Sequence, residues 1–370
     1  MEQKRIKPPM EELYQEEIQA LIANDMGKKP LNWQMSAKAV RTFILGSDKP
    51  IPWQGKEVSI SKKFFGNDAL VERCIITLAG NRGLMLVGEP GTAKTMLSEL
   101  LSAAICNNST NTVQGTAGTT EDMIKYTWNY AMLLDRGPVR EALVPSPLYV
   151  GMEKGILTRL EEITRCPAEI QDSLISILSD KVMSIPELAE DGLLFARPGF
   201  NVIGTANIRD KGVNEMSSAL KRRFNFETIF PIQDISLEKK IILSEVKKLA
   251  ALNQIDMEPD EEIASLLAYT YHELREGISS MGHRIDKPAG VMSTAEAVSV
   301  YFQTMMSAYF YGDGRMEVDD LVQNLIGAVA KESRDDLVKV KGYFQTVVKD
   351  RSKQEGGLWE KYYEARRWIR

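Results

Sequence analysis

The sequence predicts an α/β chain: a parallel sheet flanked by helices, followed by an all-helical domain. Three observations carry this. Short, continuously apolar runs such as Gly83-Leu-Met-Leu-Val87 read as buried parallel strands. Helical patterns separate these runs, as βαβ units require. Beyond Pro231 the strand-like runs stop and amphipathic helical patterns continue to the last residue.

In chain order, residues 1–64 read as an N-terminal extension, with helices over Glu11–Ala23 and Trp33–Leu45 and a loop marked by Pro50, Pro52 and Gly55. Residues 65–234 form the α/β core. Its strands are expected at Gly83–Val87, Gly155–Leu160, Phe200–Asn207 and Phe226–Ile232. Its helices are expected after the first strand, where Met96, Leu97, Leu100, Leu101, Ala104 and Ile105 recur at helical spacing, and over Pro167–Leu178. Residues 235–370 form a helical lid domain with a C-terminal helical extension. Helices are expected there at Ser236–Leu252, Asp260–Glu276 (with Gly277 as its C-terminal cap), Thr294–Tyr311, Val318–Glu332, Asp335–Lys349 and, past Gly356-Gly357, Leu358–Ile369.

Composition bounds the function. Hydrophobic residues make up 44% and charged residues 26% of 370, ordinary for a globular protein. The formal charge of −5, from 46 basic and 51 acidic residues, leaves no electrostatic footprint for nucleic acid. No apolar run approaches the roughly 20 residues that span a bilayer. The N-terminus has no apolar core of a secretory signal. Cys74, Cys106 and Cys166 share no metal-ligand spacing, and with only two histidines, His272 and His283, neither a structural zinc site nor a histidine-based hydrolase is expected. A reducing, cytoplasmic setting fits all of this.

The motif that carries chemistry is Gly88-Glu89-Pro90-Gly91-Thr92-Ala93-Lys94-Thr95, a P-loop between an apolar strand and an amphipathic helix. A glycine-rich turn at a helix N-terminus aims backbone N–H groups at phosphate oxygens. Lys94 would reach the β- and γ-phosphates, and the Thr95 hydroxyl would ligate Mg²⁺. Ala93 stands where the usual pattern has its second glycine, and helical dihedrals are expected there. A P-loop also needs acids at the end of another strand. Glu161 and Glu162 fit, Glu161 holding the metal and Glu162 polarising the attacking water. By themselves the two read equally as solvated acids at a helix start; their place after a P-loop favours the functional reading. Thr158 and Arg159 interrupt the strand before them, and a buried arginine needs a partner.

These residues resemble the MoxR branch of the AAA+ ATPases over about residues 65–310. Gly-Glu-Pro-Gly-Thr-Ala-Lys-Thr looks like that family's P-loop, and Glu161-Glu-Ile-Thr-Arg165 resembles its Asp-Glu-Ile-Asn-Arg. The resemblance implies an AAA+ core, ATP and Mg²⁺ as ligands, and three further assignments. Asn207, in Gly204-Thr-Ala-Asn207, would be the sensor at the γ-phosphate. Arg223, in Ala219-Leu-Lys-Arg-Arg223-Phe224, would be the arginine finger reaching a neighbour's nucleotide, with Arg222 as substitute. A ring homo-oligomer, commonly a hexamer, follows from that finger. Members place an arginine near Ser-x-Arg at the start of a lid helix; this chain has Ser293-Thr-Ala295, and Arg284 is the nearest cation. The stretch Trp128–Gly151 lies where the clade carries an insert between core elements, and Lys181–Gly199 where it carries a hairpin before the sensor strand; each reads equally as a client contact or as an ordinary surface loop. The surroundings of Trp33-Gln-Met-Ser36 resemble a subgroup that lies beside von Willebrand factor A domain proteins. The implied function is an ATPase that remodels or activates a protein client, with a von Willebrand factor A domain adaptor. Two alternatives stand beside it. A nucleic-acid motor would need basic, aromatic loops, and Arg136, Arg140 and Tyr149 are offset by Asp135, Glu141 and Glu187. A nucleotide-gated scaffold with little turnover would explain the Glu161 variant, Arg159 and the missing lid arginine.

Overall fold

The computed structural model describes residues 5–207, 214–290, 292–329 and 334–370. The chain divides into two units: residues 1–88 with 93–229, and residues 89–92 with 230–370.

The first unit is built on a parallel sheet of five strands: β1 (Gly83–Gly88), β2 (Thr112–Gln114), β3 (Leu157–Glu161), β4 (Asn201–Asn207) and β5 (Phe224–Ile229). Their spatial order is β5-β1-β4-β3-β2. The parallel sheet expected from the sequence is present. Register decides where the motifs meet. Asn207 pairs with Gly88, so the end of β4 lies beside the start of the P-loop. Gln114 pairs with Glu161, so the end of β2 flanks the acids. The strand expected at Phe226–Ile232 begins two residues earlier, at Phe224, and ends at Ile229. The helix expected over Pro167–Leu178 is two pieces, Ala168–Asp172 and Leu174–Asp180, which meet at Ser173. Among the described residues the insert Lys181–Gly199 contains a hairpin in which Val182–Ser184 pairs with Leu193–Phe195.

Residues from the N-terminal extension enter the same core as β1 and the P-loop helix, α1 (Lys94–Cys106). Ile18, Leu21, Met35, Phe43 and Ile44 pack in one cluster with Leu84, Leu97 and Leu101. A helix leaves its last carbonyls unsatisfied. Gln34 supplies donors for three of α1's: its side-chain amide reaches the Ala103 and Ala104 carbonyls at 2.6 and 2.9 Å, and its backbone N–H reaches the Ile105 carbonyl at 3.0 Å. Ser36 then caps a helix at Ala37–Leu45 through the Ala39 N–H, which explains why the helix starts there rather than at Trp33.

The second unit is helical beyond Phe230. Its main helices are α2 (Ile235–Leu252), α3 (Glu261–Glu276), α4 (Thr294–Phe310), α5 (Val318–Val329) and α6 (Arg334–Tyr343). Asp234 and Asp260 cap α2 and α3, and Ser293 with Glu296 forms a capping box on α4. Gly277 ends α3 in the left-handed region at φ 73°. The helix expected to reach Glu332 is described to Val329; residues 330–333 lie outside the described set. A turn of π-helix at Phe344–Val348 leads into a helix at Lys349–Glu355, and a last helix begins at Leu358. One buried ion pair ties these late elements to α3. Glu273 is fully buried and accepts from Arg351 at 2.8 Å and from the Tyr343 hydroxyl at 2.7 Å. The Arg351 guanidinium also lies over the rings of Tyr269 and Trp359.

Candidate nucleotide site

β1 is buried except at the partly exposed Val87 and delivers Gly88 to the turn. α1 then begins at Lys94. Lys94 is 8% exposed, and its ammonium donates to the Gly88 carbonyl at 3.1 Å, so the amine folds back to the start of the loop. The Thr92 hydroxyl closes the turn on the Glu89 carbonyl at 2.8 Å. Gly91 has φ +74°, and a Cβ there would collide with the Ser293 side chain of its own unit and stand 3.7 Å from Ala295 Cβ. Ala295 thus lies where the resemblance places a lid arginine, while Arg284 is exposed in the turn closed by the Ile278–Arg284 bridge.

Ala93 corrects an expectation. Its φ of 64° and ψ of 23° are left-handed, not helical. The chain must reverse there to turn its N–H groups inward before α1 can begin. For a residue with a Cβ this region costs about 1–2 kcal/mol. Glu162 is left-handed as well, at φ 53° and ψ 42°. Strain of this kind collects at functional sites. Ala93→Gly should therefore raise the thermal midpoint, by about 0.5–1 kcal/mol of stability once glycine's larger chain entropy is subtracted. Calorimetry checks this; a lowered midpoint contradicts the strain.

The acids sit at the end of β3. Glu161 is buried, and four donors saturate its carboxylate. Oε1 accepts from the Ser98 hydroxyl at 2.8 Å and Arg159 Nη2 at 2.7 Å. Oε2 accepts from the Thr95 hydroxyl at 2.9 Å and the Thr205 hydroxyl at 2.8 Å. Burial opposes ionisation here, but the Arg159 charge and the three hydroxyls outweigh it and hold the acid below the usual range. The polar interruptions of β3 are accounted for. Arg159 also donates to Ser98 and to the Ser109 carbonyl, and Thr158 donates to the Pro147 carbonyl and accepts from Asn111.

Glu162 is half-exposed. Its backbone N–H donates to the Thr205 hydroxyl at 3.0 Å, and its carboxylate pairs with Arg165 at 2.7 Å. The β2 end comes close: Gly115 N–H donates to the Glu161 carbonyl at 2.7 Å, and a Cβ on Gly115 would fall 2.5 Å from the Glu162 carbonyl. Glycine is required there.

Of the residues expected from sequence, the first unit brings together Gly88, Ala93, Lys94, Thr95, Glu161, Glu162 and Asn207. Arg223 lies at the other end of β1 from Gly88, its carbonyl accepting from the Gly83 N–H at 2.9 Å; its half-buried side chain donates to the Ser179 hydroxyl at 2.8 Å and the Ala219 carbonyl at 3.0 Å. Arg222 beside it is exposed. Sequence reasoning missed Ser98 and Thr205 and left Arg159 without a partner. A signal existed for each. Ser98 follows Thr95 by three on a helix, Thr205 precedes Asn207 by two on a strand, and Arg159 precedes Glu161 by two, so each pair shares a face.

A divalent ion at this site would draw on hard oxygens, and Thr95 Oγ1 with Glu161 Oε2 offers them at a helix N-terminus; Mg²⁺ takes few protein ligands when phosphates supply the rest. Among the described residues no group of three or more His, Cys, Asp and Glu could hold a metal without a nucleotide. No helix among them is long and apolar enough to cross a membrane.

Comparison with known proteins bears on the family of the chain. Residues 83–224 match the model of the AAA domain of the dynein-related subfamily, and residues 237–370 match the YehL-like AAA+ ATPase C-terminal domain. The chain is 45% identical to YehL of Escherichia coli over 361 residues, 97% of this chain and 96% of that protein. It is 26% identical to the chaperone MoxR1 of Mycobacterium tuberculosis over 187 residues, 50% of this chain and 45% of that one. Among solved structures, NtrX of Brucella abortus in complex with ADP aligns at a TM-score of 0.44 and 12% identity, covering 69% of this chain and 53% of that one. On the whole-length likeness and the two family models, the chain belongs to the YehL-like family of AAA+ ATPases.

Proposed function

We propose that this chain binds and hydrolyses ATP in a ring oligomer and uses the cycle to remodel or activate a protein client. The observation that carries the reading is the Thr95–Glu161 hydroxyl–carboxylate pair at 2.9 Å, set at the start of the P-loop helix. Residues 88–95 cradle the triphosphate, and Lys94 neutralises its outer charge. Mg²⁺, held by Thr95 and Glu161, neutralises phosphate charge when bound. Glu162 takes the proton of the attacking water, and Asn207 orients that water or the γ-phosphate. Arg223 reaches the neighbouring subunit's nucleotide, which requires it to leave Ser179.

The likeness to a chaperone supports a protein client. So do exposed apolar residues on both inserts: Tyr130 and Leu134 on the first, Leu193 and Phe195 on the second. A von Willebrand factor A domain adaptor rests on the resemblance of the N-terminal extension alone. A second reading, a nucleotide-gated scaffold with little turnover, is favoured by the ion pair between Glu162 and Arg165, which engages the base within its own chain.

Action in trans has a direct test. Arg223→Ala should lower turnover about 10³-fold. Mixing it with Glu162→Gln subunits should restore hydrolysis, because one of the two hybrid interfaces then carries both an intact base and an intact finger. A mixture as inactive as its parts contradicts the assignment of Arg223; loss of activity in Arg222→Ala instead moves the finger by one residue.

A further inference from the structure

The Arg159 guanidinium lies two residues before Glu161 on β3, on the same face, with its side chain 4% exposed against 6% for Glu161. Its nitrogens are committed in three directions. Nε donates to Ser98 Oγ at 2.9 Å, Nη1 to the Ser109 carbonyl at 2.5 Å, and Nη2 to Glu161 Oε1 at 2.7 Å. Glu99 Oε1 stands 3.7 Å from Nη2, and Lys7 Nζ is 3.0 Å from the same oxygen. Charges therefore alternate from the surface inward: Lys7, Glu99, Arg159, Glu161. A planar fork fixed at three points cannot swing away from the carboxylate.

We propose that Arg159 is a positioning residue of the nucleotide site, one that engages Glu161 Oε1, leaves Oε2 beside the Thr95 hydroxyl as the oxygen that would serve a bound Mg²⁺, and supplies part of the charge balance that the ion would otherwise provide. This rests on the reading of residues 88–95 and Glu161 as a Mg²⁺–nucleotide site. Arg159 offsets Glu161, while Arg165 pairs with Glu162. Remove Arg159, and the buried Glu161 carboxylate keeps its three hydroxyl donors but loses the cation that pairs with it, so its charge opposes the triphosphate. A unit charge about 7 Å from a phosphate at an effective dielectric near 20 changes affinity by tenfold or more. With Arg159 present, ATP binding depends weakly on the metal.

The test is calorimetric titration of ATP into the full chain, in excess Mg²⁺ and in EDTA. For the natural protein the two affinities should differ by less than about tenfold. Arg159→Met should widen that ratio by at least about tenfold, chiefly through weaker binding in EDTA, and Arg159→Lys, which keeps the charge, should stay near the natural ratio. More than tenfold loss for the natural protein in EDTA overturns the proposal, as does an unchanged ratio in Arg159→Met. If Arg159→Met does not fold, the natural ratio decides alone. Absence of ATP binding in both buffers overturns the nucleotide reading itself, a separate result from binding that is strictly metal-dependent.

Discussion

Glu162→Gln is expected to lower steady-state ATP hydrolysis by about 10²–10⁴-fold while ATP affinity stays within a few-fold of the natural protein. Glutamine has the same shape and still accepts a hydrogen bond from Arg165, which pairs with Glu162 at 2.7 Å. The Glu162 backbone is fixed independently of its side chain, through its N–H to Thr205 at 3.0 Å. The substitution therefore removes proton acceptance and little else. Coupled phosphate release and nucleotide titration on the same preparation check both halves. Undiminished turnover would place the base elsewhere.

Lys94→Ala is expected to act one step earlier, lowering ATP affinity by about 100-fold or more. The residue is 8% exposed and its ammonium donates to the Gly88 carbonyl at 3.1 Å, so it is held at the loop. A cation fixed in a partly desolvated loop interacts with phosphate far more strongly than one in water. The fold should be nearly indifferent, because removing the buried charge also removes its desolvation cost. A thermal midpoint within a few degrees of the natural protein, measured beside the titration, separates lost binding from lost structure.

What the sequence made legible is local. The P-loop pattern announces itself within a few residues, because strand, turn and helix patterns are short-range; Glu161 and Glu162 gain their reading only from following it, and Asn207 only from the family resemblance. The fate of Arg159 was not legible in that way. Its partners come from α1, from Ser109 and from β3 itself, and only the tertiary fold gathers them. β2 escaped for a different reason: Thr112–Gln114 is three residues long, too short for any periodicity. Ala93 was misjudged because small size was weighed and backbone direction was not; the loop needs a left-handed residue whatever its volume. The weight of residues 1–64 in the core was hidden by punctuation. Prolines and a glycine suggested a loose extension, whereas Ile18, Phe43 and Ile44 pack against the interior of β1 and α1.

We propose that residues 88–95 hold ATP for hydrolysis. The most direct measurement is steady-state phosphate release by the full chain, run in parallel for the natural protein and Lys94→Ala. Turnover by the natural protein should rise with protein concentration, as subunits assemble, and fall to background in Lys94→Ala. Equal phosphate release from the two proteins would contradict it.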